Sequence, residues 1–166
     1  KWEFRYPGKD GKLGRKYFKE ISETKSNPLG QIWSDPDNHD DVVGSQEMHI
    51  VVGKPVKLII NAKDVIHDVG LPHFRMKMDA VPGMPTTMWF TPKYTTREMK
   101  EKYGEDFNYE ISCDQLCGKG HYSMRGVVIV ESQAEVKIWL AKQTPHYVTA
   151  NSAPAPAAPA STIPAA

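Results

Sequence analysis

The stretch CDQLCGKGHYSM, Cys113 to Met124, carries both cysteines of the 166-residue chain together with one histidine, one methionine and two glycines. Soft thiolate and thioether donors beside an imidazole are the ligand types that select copper and related metals. Four arrangements compete for Cys113, Cys117, His121 and Met124. A local disulfide would use the cysteines and leave the other two residues incidental. A structural zinc site wants four Cys or His ligands, usually at Cys-x2-Cys spacing; here the spacing is Cys-x3-Cys, no second pair exists and methionine is a poor zinc ligand. A mononuclear blue-copper site takes one Cys, two His and a weak axial Met. The ending Cys-x3-His-x2-Met fits that site but leaves Cys113 unexplained. The arrangement that uses every residue makes both thiolates bridges between a pair of copper ions, each copper having its own terminal imidazole and one weaker donor.

A copper pair needs a second histidine from outside the loop. His39 lies in an acidic loop pattern and His146 in a Pro/Ala-rich stretch, so both are poor choices. His49 sits in a strand pattern and reads as a surface residue. His67 follows Asp64-Val65-Ile66 at a strand end, where a strand would deliver a ligand to the mouth of a barrel. His73 lies six residues further on, and spacing alone does not separate the two.

The elements that must hold these residues read as short strands. WEFRY alternates and is followed by the turn cluster PGKDGKLG. EMHIVVGKPVKLIINA reads as two strands joined at Gly53-Lys54-Pro55, where proline suits a strand start. TTREMKEKYG is a short helix closed by Gly104. FNYEIS, with Phe107, Tyr109 and Ile111 on one face, precedes the cysteine loop and GVVIVES follows it, so the loop joins two strands. AEVKIWLAKQ fits a helix or a last strand. Short strands at roughly regular spacing point to an all-β sandwich or Greek-key barrel. That domain is expected over residues 1–143, and residues 144–166, rich in Pro and Ala, are expected to be a disordered, extended linker.

With its motifs in view, the chain resembles the soluble domain of cytochrome c oxidase subunit II. CDQLCGKGHYSM is similar to that family's binuclear copper (CuA) loop, Cys-x-x-x-Cys-x-x-x-His-x-x-Met; VIHDVGLPHFRMKMDAVPGM is similar to the segment that supplies its other histidine; KWEFRYPG is similar to the start of the domain after two membrane helices. The resemblance covers about Lys1 to Lys142 in consistent order. It implies a cupredoxin-like Greek-key β-barrel and two copper ions, with Cys113 and Cys117 bridging, His67 and His121 terminal, and Met124 the weak ligand of one copper. It places at Gln115 the backbone carbonyl that is the weak ligand of the other. Many members carry glutamate there, whose side chain helps bind magnesium against subunit I; Gln115 keeps the carbonyl without the carboxylate. His73 is not a ligand position in the family. Trp2 aligns with an aromatic that accepts electrons from cytochrome c. The implied role is electron entry into a haem–copper oxidase on the outer face of a bacterial cytoplasmic membrane, from cytochrome c to haem in subunit I. The Pro/Ala stretch implies a caa-type arrangement with a fused cytochrome c domain, the chain itself being a piece of something longer.

The remaining features are weighed on their own chemistry. Asp68, next to His67, could orient its ring through the second nitrogen, as groups behind metal ligands commonly do. Met76 and Met78 could carry Cu(I) in a copper-delivery protein, but at period two they read as strand packing. Trp33, Trp89 and Trp139 default to the core. The run Asp35 to Asp41 reads as a solvated loop, with an acidic docking face for a basic cytochrome as the alternative. A net charge of +1 without a clustered basic stripe gives no nucleic-acid footprint, and no apolar run approaches the roughly 18 residues that span a bilayer. The copper domain of nitrous-oxide reductase is the rival that keeps the copper pair.

Overall fold

The computed structural model describes residues 1–152. The strands are β1 Phe4–Tyr6, β2 Val42–Gly44, β3 Glu47–Val51, β4 Val56–Ile60, β5 His67–Leu71, β6 Met76–Ala80, β7 Thr86–Phe90, β8 Tyr109–Ser112 and β9 Arg125–Glu131. Three short helices join them: α1 Thr96–Tyr103, α2 Gln133–Lys142 and α3 His146–Ser152. A five-stranded sheet runs β3-β9-β8-β5-β6, parallel between β3 and β9 and antiparallel elsewhere; β4-β7 and β1-β2 form two-stranded sheets. The architecture is mostly β and cupredoxin-like, as expected. Among the described residues no helix is long and apolar enough to cross a membrane.

Alternation builds the core, because successive strand side chains face opposite sides. Val69 and Leu71 of β5, Tyr109 and Ile111 of β8, Val128 and Val130 of β9, and Met88 and Phe90 of β7 all turn inward. Both helices beside this core start on a reciprocal cap. Thr95 with Glu98 closes α1, and Ser132 with Glu135 closes α2, each hydroxyl accepting from the third backbone N–H while the glutamate returns to the cap. AEVKIWLAKQ is therefore helix, decided by the Ser132 cap.

The chain divides into two units, Lys1–Arg5 with Val43–Gln143 and Tyr6–Val42 with the chain from Thr144 onward. The first holds the core above and every candidate metal ligand. The second is built on buried amides: Gln31 Nε2 donates to Asn38 Oδ1 at 3.1 Å, and Asn38 Nδ2 donates to the carbonyls of Arg15 and Ile32, each at 2.9 Å. The linker expected from residue 144 begins instead as α3. His146 N–H donates to the Asp41 carbonyl at 2.8 Å, its ring bonds Gln31, and Tyr147 stacks on His39 at 4.1 Å. Composition suggested no order because these anchors are hydrogen bonds and ring contacts rather than an apolar face. Residues 153–166, the rest of the expected linker, lie outside the described residues. The acidic run also departs from a solvated loop: Asp35 and Asp41 are buried, and Asp35 accepts from the Arg15 backbone N–H at 2.9 Å and its Nε at 3.0 Å.

Candidate metal centre

The cysteine loop leaves β8 at Ser112 and returns at Arg125. It is closed where it begins, because Cys113 N–H donates to the Met124 carbonyl at 3.0 Å. Trp2 Nε1 donates to the same carbonyl at 3.2 Å, tying the first strand segment to the loop base. Gly118 turns the chain at φ +124°, in the region that favours glycine, and a 3-10 turn over His121–Ser123 presents the second imidazole. On β5, Gly70 lies so close to the loop that a Cβ there would meet Asp114 Oδ2 at 2.1 Å. Asp114 Oδ1 in turn accepts from Ser112 Oγ at 2.8 Å. A glycine in mid-strand signals such an approach.

Within this frame six donors form two like sets. Cys113 Sγ lies 3.8 Å from His67 Nδ1 and 3.2 Å from the Gln115 carbonyl oxygen. Cys117 Sγ lies 3.6 Å from His121 Nδ1 and 3.5 Å from Met124 Sδ. The two sulfurs are 3.8 Å apart and unbridged. Each thiol therefore has one imidazole Nδ1 and one weaker donor, oxygen on one side and thioether on the other. His67, Cys113 and Cys117 alone offer three ligand atoms within 4.8 Å of one another. An open cleft of about 290 Å³, lined among others by Lys1, Asp64, His67, Cys117, His121 and Met124, reaches the Cys117 sulfur, while Cys113 is buried behind it.

The electrostatics favour thiolate on one side. Burial works against charge at Cys113, but backbone hydrogen bonds from Asp68 and Gln115 and the His67 and His121 rings overcome it, lowering the thiol to about 7. Cys117 moves the other way, raised by desolvation and by the neighbouring Cys113. Burial also opposes protonation of His67, yet the hydrogen bond to Asp64 and then the Cys113 thiol leave its pKa above the ordinary value. His67 Nε2 meets Asp64 Oδ1 at 2.8 Å. A carboxylate only accepts, so Nε2 carries the proton and the neutral ring keeps its Nδ1 lone pair for the sulfur side.

Asp64, and not Asp68, is thus the group behind His67. Asp68 follows His67 on β5 and so faces the opposite side of the sheet. It is buried, opposite Asp79 on β6, with Lys77 Nζ at 3.8 Å from Oδ2 and no hydrogen-bond partner for either oxygen among the described residues. Desolvation first, then Asp79, push its carboxyl up to about 6. Asp64 was missed because its signal is faint: one acidic residue three positions before a histidine.

His73 is not brought to the sulfurs. Its Nδ1 accepts from Glu110 N–H at 3.4 Å, and its ring sits edge-on to Phe107 and Tyr109 at 5.1 and 5.7 Å. His49, read as a surface residue, is buried under α2, stacked on Trp139 at 4.0 Å and bonded through Nδ1 to Glu131 at 2.9 Å. Met76 and Met78 pack against the core. Trp89 does not join the core; it is 71% exposed on β7.

A family model described as "Cytochrome C oxidase subunit II, periplasmic domain" matches residues 37–132. The chain is 42% identical over 143 residues to the alternative cytochrome c oxidase subunit 2 of Bradyrhizobium diazoefficiens, covering 86% of this chain and 47% of that protein. It is 40% identical over 100 residues to the cytochrome c oxidase subunit 2 of Thermostichus vulcanus, covering 60% of this chain and 27% of that protein. The chain thus spans about half or less of these curated relatives. Among solved structures, the periplasmic domain of subunit II of cytochrome oxidase from Bradyrhizobium japonicum superposes with a TM-score of 0.50 at 27% identity, covering 64% of this chain and 80% of that chain.

Proposed function

Because the chain belongs to the cytochrome c oxidase subunit II family, we propose that it is the electron-entry domain of a haem–copper oxidase, taking single electrons from cytochrome c and passing them to haem in subunit I. The observation that carries this reading is the pairing of the donors: two thiols 3.8 Å apart, each with its own imidazole Nδ1 and its own weak donor. Zinc has no use for a thioether and a carbonyl in such a set, and one blue copper employs one thiolate. His67, Cys113, Gln115 through its carbonyl, Cys117, His121 and Met124 would hold two copper ions. Such a pair supplies an electron shared over two metals, so that little changes in bonding on reduction.

The protein's part is to hold the donors still. The Cys113–Met124 backbone bond, Trp2 on the same carbonyl and Asp64 behind His67 each fix one donor before any metal arrives. Oxygen reduction belongs to the larger complex. The domain would face the outer side of the bacterial membrane, and in the caa-type arrangement a cytochrome c domain would follow the Pro/Ala stretch, where tethering raises its effective concentration. Sequencing the parent gene downstream of Ala166 tests that arrangement.

Copper content measured with the EPR spectrum tests the centre. Two coppers per chain, with one unpaired electron split equally over both nuclei, support it; a single copper or bound zinc would sink it. Trp2 is the proposed entry point for the electron. Trp2→Phe is expected to slow reduction by cytochrome c while leaving copper content intact, and an unchanged rate would remove Trp2 from the path.

A further inference from the structure

A second cavity, of about 450 Å³, lies at the other end of β5 from His67. It is walled by the 3-10 turn Pro72–Phe74 that follows β5, by the stretch 91–94 that follows β7, and by α1. Its apolar part is aromatic. Phe74 stacks on Tyr109 at 4.8 Å and packs on Phe90 at 4.7 Å, and the buried Tyr109 gives its hydroxyl to the Tyr94 carbonyl at 3.1 Å. Tyr94 and Tyr103 also line the cavity, yet they are 58% and 61% exposed, so much of each ring is uncovered. The charge is one-sided. Arg75, Lys93 and Lys102 line the same space, and among the described residues none of them meets a carboxylate. The one carboxylate on the wall, Glu98, accepts from the Thr95 N–H at 2.7 Å and hydroxyl at 2.8 Å, bonds that cap α1 and keep it ionised. Three cations against one carboxylate leave a net +2. His73 accepts the Glu110 N–H on Nδ1 at 3.4 Å, so its neutral ring carries the proton on Nε2 and adds a donor to the wall. Arg75 itself holds φ +54°, a left-handed conformation that side-chain-bearing residues disfavour and that clusters at ligand sites.

We propose that this cavity binds a small phosphate monoester carrying a flat ring, its phosphate held by Arg75, Lys93 and Lys102 and its ring laid against the exposed tyrosines. Such a phosphate is close to a dianion at pH 7, which matches the charge of the wall. An arginine fork fits two phosphate oxygens at once, and lysines add point charges beside it. Aromatic walls with a few converging polar groups are the usual make-up of small-molecule sites, and about 450 Å³ is within their range. The site shares no residue with the metal centre, so it stands apart from the copper-pair reading.

The test titrates the whole chain with phenyl phosphate, inorganic phosphate and benzyl alcohol, following backbone amides by two-dimensional NMR. Phenyl phosphate is expected to bind saturably, shifting amides of residues 73–75, 91–94 and 98–103 and leaving those of the cysteine loop in place. Inorganic phosphate lacks the ring and benzyl alcohol the charge, so each should bind about tenfold more weakly. Arg75→Gly removes the guanidinium and puts at φ +54° a residue that adopts it freely, so the fold is kept while affinity for phenyl phosphate falls about tenfold. Replacing both exposed tyrosines, Tyr94→Ala with Tyr103→Ala, should bring phenyl phosphate down to the affinity of inorganic phosphate. Equal affinity of the wild type for phenyl phosphate and inorganic phosphate would overturn the proposal. So would shifts scattered over lysines elsewhere on the surface, or an Arg75→Gly protein that binds phenyl phosphate as the wild type does.

Discussion

His67 and His73 flank one strand, β5, and do different work. At its start His67 turns Nδ1 to a thiol and Nε2 to Asp64; just past its end His73 lies among Phe107, Tyr109 and the Glu110 backbone. Strand register separates them. β5 and β8 are antiparallel and meet at Gly70 and Ser112, so residues before Gly70 approach residues after Ser112, and residues after Gly70 approach those before it. His67 is thereby led to the cysteine loop and His73 to the aromatic start of β8. A histidine becomes a ligand candidate here through what the neighbouring strand delivers, not through its own flanking residues.

The largest effect expected from breaking this comparison is on metal content. His67→Ala should abolish the two-copper EPR spectrum and leave at most one copper per chain, while His73→Ala should keep both. A spectrum lost in His73→Ala and kept in His67→Ala would invert the assignment. Next in size is the separation of the two thiols. In the metal-free protein thiolate absorbance should rise in two steps belonging to the pair, the first near pH 7 and the second above the ordinary cysteine range. One step at the ordinary value would mean that the His67 half has no special hold on its sulfur.

The other face of β5 gives a smaller effect, on stability. The folded Asp68 carboxyl keeps its proton up to about pH 6, whereas the unfolded one releases it near 3.8. The folded state therefore binds more protons between those values, and stability falls as pH rises through that window. Asp68→Asn should remove the burial penalty and raise the stability of the metal-free protein at pH 7 by about 2 kcal/mol, and by no more than about 3. Urea denaturation of both proteins at about pH 4 and about pH 7 checks it, a parallel fall in both proteins counting against it. The smallest effect belongs to His73, whose ring contacts with Phe107 and Tyr109 are worth about 1 kcal/mol. Thermal unfolding of metal-free His73→Ala should show that loss without any change in copper content.

The strands and the first helix were read from local pattern, and the caps, which that reading passed over, are equally local. Alternation in VKLII and YEIS, Thr95 with Glu98, and the glycine after Tyr103 each act within a few residues. Asp64 and Asp68 show where such reading stops. Both lie close to His67 in the chain, and their roles depend on which side of β5 each faces and on whether Asp79 stands opposite. His49 and Trp89 fail for the same reason, since only α2 lying over β3 buries the one and only an uncovered β4-β7 face exposes the other.

The order and types of residues in CDQLCGKGHYSM by themselves determined the donor chemistry, because they fix that two thiols, an imidazole and a thioether are what one short loop has to offer. The family resemblance had already named His67 and the Gln115 carbonyl; tertiary structure brought both to the Cys113 sulfur, and it alone decided that Asp64 stands behind His67 and that Trp2 braces the loop. Those choices follow from strand register and the alternation of faces across paired strands, which no single stretch of chain contains.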